Sequence, residues 1–276
     1  MIEIFTFEEL AQLGEVFERK KWSGDINEFD GDVFNKTVDL LSELDQRQRK
    51  LVLSFIENYY RLTDYADHCR AIARQITSKF GRRDKILFLP VSDAEPKVKS
   101  GHSVCYEIQR FLDDRLFLEV DTLDHYDRLN HQKVGSKLVI VDDFVGSGSQ
   151  MRKMLRTIIN SFPEMVQNIS IYVICMQRIA YNRVRKLCPN VYACEIRDRA
   201  ITDAFAIGSM TAQEALEVYQ TIESRLSMRV WYKLGYGRAE ALVSMKRTPN
   251  NTLPIFWNDR QKGGTKWPAP FLRIQS

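Results

Sequence analysis

Five short apolar runs lie between residues 86 and 196, at 86–91, 116–120, 137–141, 169–175 and 191–196. Each is five to seven residues long, and charged or turn-forming residues bound it. Runs this short suit strands, and their nearly continuous apolarity marks strands covered on both faces. Most are separated by stretches of helical periodicity, expected as helices near 101–114, 149–161 and 180–187. Strand and helix in alternation is the pattern of a parallel sheet flanked by helices. The expected fold is therefore α/β, with about five parallel strands.

The chain of 276 residues is longer than such a core needs. Ahead of it, Thr6 and Glu9 make a capping-box pattern. Apolar stripes follow at Leu10, Leu13, Val16 and Phe17, at Leu40, Leu41 and Leu44, and at Leu51, Val52, Phe55 and Ile56. Their spacing predicts packed helices. A second capping box, Thr211 with Glu214, opens a helix toward residue 226. The expected division is a helical N-terminal region over 1–82, a core over 83–205, and a C-terminal helix and segment over 206–276.

Chemistry concentrates at residues 138–151, LVIVDDFVGSGSQM. A buried strand ends in Asp142 and Asp143, a Gly/Ser loop follows, and a helix begins. In an open α/β sheet, ligands sit at the carboxyl ends of strands. Gly146 and Gly148 let the backbone turn tightly and approach a ligand. The helix N-terminus presents unpaired N–H groups that suit a phosphate. Ser147 and Ser149 add hydroxyl donors. Asp142 and Asp143 repel a phosphate, but they accept hydrogen bonds from sugar hydroxyls or hold magnesium through water. The segment reads as a cradle for ribose 5-phosphate. Rival nucleotide motifs fit less well: GxxxxGK[ST] is absent, and GxGxxG needs glycine where Met151 stands. A plain strand cap followed by a turn is the structural alternative.

Residues 139–149 resemble the phosphoribosyl-pyrophosphate motif of type I phosphoribosyltransferases. That motif has apolar residues, Asp-Asp, two variable residues, Gly-Thr/Ser-Gly and a hydroxyl residue. The resemblance implies Asp142 and Asp143 as the catalytic pair on the ribose hydroxyls. It places Val145, Gly146, Ser147, Gly148 and Ser149 around the 5-phosphate. It also implies Mg2+ on the pyrophosphate, held through Asp142 or Asp143. The implied reaction is displacement of pyrophosphate at the anomeric carbon, or its reverse. Members of this family carry a pyrophosphate loop after the first strand. Here that slot is longer and more acidic than usual, and Lys97, Lys99, Ser100 and Gly101 are its candidates. A solvated basic loop is the alternative for the two lysines. A catalytic loop would lie between the second and third strands. His125, Arg128, His131 and Lys133 are the only cationic or titratable bases there. Either one of them covers the pyrophosphate, or all four are surface residues.

The ending, TPNNTLPIFW at 248–257 and WPAPF at 267–271, resembles that of a divergent branch. Its members are phosphoribosyltransferase-like effectors of prokaryotic conflict systems, some of them retron-associated. This implies an antiviral effector that binds phosphoribosyl pyrophosphate or a ribonucleotide. A reverse transcriptase, an ATPase or an RNA–DNA hybrid would be its partner. Transfer, nucleotide depletion and non-catalytic sensing all stay open.

Charge adds a third possibility. The formal net charge is +4. Residues 247–276 account for all of it, with Arg247, Arg260, Lys262, Lys266 and Arg273 against Asp259. Cations beside Phe256, Trp257, Trp267 and Phe271 suit single-stranded nucleic acid. Alternatively the aromatics bury and the prolines set fixed turns. The LPIFW run is too apolar for a free tail, which favours an ordered segment packed on the core. No apolar run is long enough to span a bilayer, and the N-terminus lacks a signal-peptide pattern, so a cytoplasmic protein is expected. Five cysteines without a CxxC pair and four scattered histidines lack zinc-ligand spacing.

Overall fold

A computed structural model describes residues 6–22, 33–92, 100–204 and 207–273. In chain order its first elements are α1 (Phe7–Arg19), α2 (Val33–Ser42), α3 (Gln46–Asn58), β1 (Tyr60–Arg61) and α4 (Tyr65–Lys79). There follow β2 (Lys85–Pro90), α5 (Ser100–Gln109), β3 (Glu119–Thr122), β4 (Lys137–Val145) and α6 (Ser149–Ser161). The last are β5 (Ile169–Gln177), α7 (Arg178–Val184), β6 (Val191–Arg197), α8 (Ala212–Glu223) and β7 (Val243–Ser244). The chain divides into two compact units, residues 63–197 and residues 1–62 with 198–276.

The first unit holds a five-stranded sheet in the order β3-β2-β4-β5-β6, parallel throughout. Phe88 pairs with Val139, Val141 with Tyr172, and Val173 with Ala193. Every residue of β5 is buried, Ser170 and Gln177 included, as a strand covered on both faces requires. The expected α/β sheet is present. Four boundaries move. The second strand begins at Glu119 rather than 116, because the Asp113 side chain accepts from Arg115 N and caps a 3-10 turn over Asp114–Leu116. As an edge strand pairing only with β2, it tolerates a polar sequence. The helix expected over 101–114 ends at Gln109, and the one near 180–187 is Arg178–Val184. Strand β4 runs on to Val145, because Phe144 and Val145 continue the ladder against Cys175 and Met176. The acidic pair thus sits within the strand.

Contacts divide the chain differently from the 1–82, 83–205 and 206–276 boundaries. Helix α4 belongs with the sheet. It buries Cys69, Ile72, Ala73 and Ile76, and Lys79 Nζ donates to Ser170 Oγ of β5 at 3.0 Å. Helices α1 to α3 share a core with α8 and the C-terminal segment: Leu13, Phe17, Leu41, Phe55, Tyr219, Phe256, Trp267 and Phe271 are buried together. The Phe271 ring stacks on Tyr59 with centroids 4.4 Å apart. Trp267 Nε1 donates to Ile255 O at 2.9 Å and Trp257 Nε1 to Thr252 O at 2.8 Å, so both indoles bury without losing a hydrogen bond. The C-terminal segment is thus ordered, with these helices as its apolar partners. The four aromatics proposed for stacking on nucleic acid are buried. Arg49 is buried in the same unit, with Nε on Glu9 Oε1 at 3.0 Å and Nη1 on Leu44 O at 2.8 Å.

Candidate functional site

Strands β2 and β4 are neighbours, and the chain leaves them in opposite directions, to β3 on one side and to β5 on the other. This is the topological switch point, where an open α/β sheet forms a crevice beyond its carboxyl ends. Both walls carry residues singled out from the sequence. Asp142 and Asp143 lie near the carboxyl end of β4, while Ser100 and Gly101 open α5 beyond β2. A Cβ on Gly101 would lie 3.2 Å from Val91 N and 3.3 Å from both Pro90 Cβ and Val141 O. Glycine is what lets α5 sit this close to both strands. Ser100 Oγ then donates to Asp143 Oδ1 at 2.7 Å. Tertiary folding thus joins two segments 43 residues apart.

Asp143 is half-buried, and its Oδ1 also accepts from Phe144 N at 2.8 Å. Burial pushes its carboxyl above the ordinary range, against hydrogen bonds from Ser100 and Phe144 that pull it down. Asp142 Oδ1 accepts from Asp143 N at 3.0 Å. Nearby, Tyr65 of α4 has its phenol pushed upward, first by burial and then by Cys69, Asp143 and Glu107, so it stays a neutral donor.

The loop after β4 is built around Gly148, which is left-handed at φ 74° and serves as the N-cap of α6. As a glycine, Gly148 offers this helix no side-chain cap of its own. Ser147 Oγ lies 3.1 Å from Ser149 Oγ and accepts from Ser149 N at 3.4 Å. From α7, Arg183 Nη1 donates to Ser147 O at 3.1 Å. Gly146 is buried beneath the turn. The Val145 side chain lies in the sheet core, which leaves only its backbone for a ligand.

Lys97 and Lys99 lie outside the described residues. The four candidate bases between β3 and β4 are engaged locally. Lys133 Nζ lies 2.6 Å from Asp121 Oδ2, and Arg128 Nε lies 3.9 Å from Asp124. His125 is buried and accepts from Asp127 N, and His131 packs edge-on against Phe162. Among the described residues, no group of three or more His, Cys, Asp or Glu side chains could hold a metal. Sequence reasoning passed over Arg183, which stands 36 residues from Ser147 with no local pattern to mark it. Ser92, the first residue of the expected pyrophosphate loop, lies two residues beyond β2, and its buried hydroxyl has no hydrogen-bond partner among the described residues.

A model of the PRTase-CE family matches residues 20–273. The chain belongs to the PRTase-CE family. That match takes in both the acidic cradle and the C-terminal ending. No curated protein matches the sequence. Among solved structures, this PRTase-CE chain is similar to a hypoxanthine-guanine-xanthine phosphoribosyltransferase at 16% identity and a TM-score of 0.35, over 49% of this chain and 74% of the other. It is also similar to a hypoxanthine phosphoribosyltransferase from Staphylococcus aureus at 10% identity and a TM-score of 0.33, over 49% and 73%. Among the described residues no helix is long and apolar enough to cross a membrane.

Proposed function

We propose that this PRTase-CE chain binds phosphoribosyl pyrophosphate or a ribonucleotide at the switch point and transfers the phosphoribosyl group. The observation that carries the reading is the hydrogen bond from Ser100 to Asp143. It sets the expected pyrophosphate segment against the expected ribose carboxylates, beside a glycine-formed helix N-terminus suited to the 5-phosphate. Asp142 and Asp143 would accept the ribose hydroxyls. Ser147, Gly148 and Ser149 would hold the phosphate, with Ser100, Gly101 and the lysines at 97 and 99 toward the pyrophosphate. Departure of pyrophosphate from the anomeric carbon develops charge on both fragments. The protein's share is positioning and charge neutralisation, which needs no nucleophilic side chain.

The oxygen-only donors fit Mg2+, which keeps several waters and takes ligand phosphate oxygens beside one or two carboxylates. When bound, it would neutralise the pyrophosphate. The resemblance of the C-terminal ending supports a place in a prokaryotic antiviral system, retron-type or similar. There the protein would act as an effector that depletes or modifies nucleotides. Its partners would be a reverse transcriptase, an ATPase or an RNA–DNA hybrid.

One observation favours a second reading, a nucleotide sensor without turnover. Lys133 is paired and His125 is buried, where an active member would need cations over the pyrophosphate. Purified protein is incubated with Mg2+, phosphoribosyl pyrophosphate and a panel of bases, and pyrophosphate release is followed. Binding is measured in parallel by calorimetry. Turnover supports transfer, and binding without consumption supports the sensor. Absence of binding, or an Asp142→Asn/Asp143→Asn variant with unchanged affinity, would remove the cradle from both.

A further inference from the structure

With the tail aromatics buried, exposed aromatic surface gathers elsewhere. Among the described residues six large hydrophobic side chains are exposed, and Val230, Trp231 and Tyr236 are three of them. Trp231 is 55% exposed and Tyr236 45%. They alternate with Arg229, Lys233 and Arg238, all three exposed. The Arg229 guanidinium lies over the Trp231 ring at 5.2 Å. From 224 to 258 the sequence has six cations and one acid, Glu240. That acid is buried, and its carboxylate accepts from Ile201 N and from the Thr202 backbone and hydroxyl, so it offsets none of the surface charge.

The aromatic segment is rigidly held. Gly235 has φ 75°, and a Cβ there would lie 2.0 Å from Asn251 O. Tyr236 N donates to Asn250 O at 2.8 Å, and Asn251 Nδ2 donates to Tyr236 O at 2.8 Å. Leu234 N donates to Glu223 Oε1 at 2.7 Å. Side chains displayed on a fixed backbone bind with little ordering cost. An open cavity of about 740 Å³ is lined by Ser227 and residues 259–266. Ser227 N donates to Arg260 O at 2.8 Å, which ties the cavity wall to the chain two residues before Arg229. Arg260, Lys262 and Lys266 line the cavity against Asp259 alone. Gly263 and Gly264 form its open turn at φ 87° and 89°.

We propose that residues 229–238 and the cavity at 259–266 form a binding surface for single-stranded nucleic acid. Exposed rings interleaved with cations suit bases that have left a duplex, and a concave basic surface suits a phosphate backbone. A bilayer is flat and would leave that concavity empty. An acidic peptide would use the cations without needing the rings. The surface is independent of the phosphoribosyl cradle and stands whether or not that reading holds.

The test uses the full chain with fluorescent oligothymidylate, a duplex of the same length, polyglutamate, and phosphatidylserine–phosphatidylcholine vesicles. Single strands are expected to bind in preference to the other three. Trp231→Ala/Tyr236→Ala should weaken that binding by about tenfold or more, given what base stacking contributes. Lys262→Gln/Lys266→Gln should flatten the dependence of log K on log salt by about 1.4, since two phosphate contacts are removed. The substituted side chains are exposed, so both variants should keep the wild-type circular dichroism and melting temperature. If the aromatic pair fails to fold, Tyr236→Ser alone should still weaken binding. No single-strand binding, unchanged affinity in the folded aromatic variant, or equal binding to vesicles or polyglutamate would each overturn the proposal.

Discussion

Gly148→Ala tests the cradle at the point where backbone and ligand demands coincide. At φ 74° an alanine enters the left-handed region, which costs roughly 1–2 kcal/mol. Its Cβ would also stand 3.2 Å from both Cα and Cβ of Ala180. Overpacking of that kind typically adds about 1–3 kcal/mol, and Ala180 is fixed in α7 and has little room to give. The reduced freedom of the unfolded chain returns about 0.4–1 kcal/mol. A net loss of about 2 kcal/mol is expected, which for a chain of this size lowers the melting temperature by about 4–8 °C. Thermal melting measures the loss, and calorimetric titration with ribose 5-phosphate measures the site. Adding Ala180→Gly should recover only the part of the packing loss due to the Ala180 Cβ, leaving the contact with its Cα and the backbone strain. An unchanged melting temperature would refute the strain argument. A lowered one with undiminished ribose 5-phosphate affinity would refute the assignment of this turn to the phosphate.

Other expectations follow from single interactions. Arg183→Met removes the guanidinium that holds Ser147 O, and ribose 5-phosphate affinity should fall roughly tenfold, in keeping with about 1.5 kcal/mol for a charged hydrogen bond. Glu223 is buried, which raises its carboxyl above the ordinary 4.5, against hydrogen bonds from Leu234 N and Tyr219 Oη that lower it. As pH climbs through 4.5 the unfolded chain ionises first, so this residue costs stability from there to its raised folded value, and the cost persists at neutral pH. Glu223→Gln should therefore gain stability relative to wild type between pH 4 and pH 7, as urea unfolding at the two pH values will show. Trp267→Ala should cost about 3–5 kcal/mol and disrupt the helical unit, which near-ultraviolet circular dichroism would report.

The sheet was legible because buried strands and amphipathic helices have different periods, and the five runs at 86–196 display both. The strand–turn–helix that carries the candidate site was legible because its parts are contiguous: two carboxylates, a turn glycine and a helix start within eight residues, 142–149. The capping boxes at Thr6 and Thr211 were legible for the same reason, since each bond spans three residues. What lay hidden is nonlocal. No pattern within α4 distinguishes a helix that packs on the sheet from the three helices before it. Its buried residues Cys69, Ile72, Ala73 and Ile76 have ordinary helical spacing.

By itself the sequence determined the α/β class, the acidic strand end with its Gly/Ser turn, and the location of the net positive charge in an apolar, proline-rich ending. Those features depend on residue type and on spacings shorter than one element. Tertiary structure alone decided how the rest is used. It set Ser100 on Asp143, and it brought Arg183 to Ser147. It buried Trp257 and Trp267 while leaving Trp231 and Tyr236 in the open. All four are aromatic residues near cations, and no local rule separates them. The difference is that α1 to α3 provide apolar partners for the tail, whereas the backbone held by Asn250 and Asn251 turns residues 231 and 236 outward.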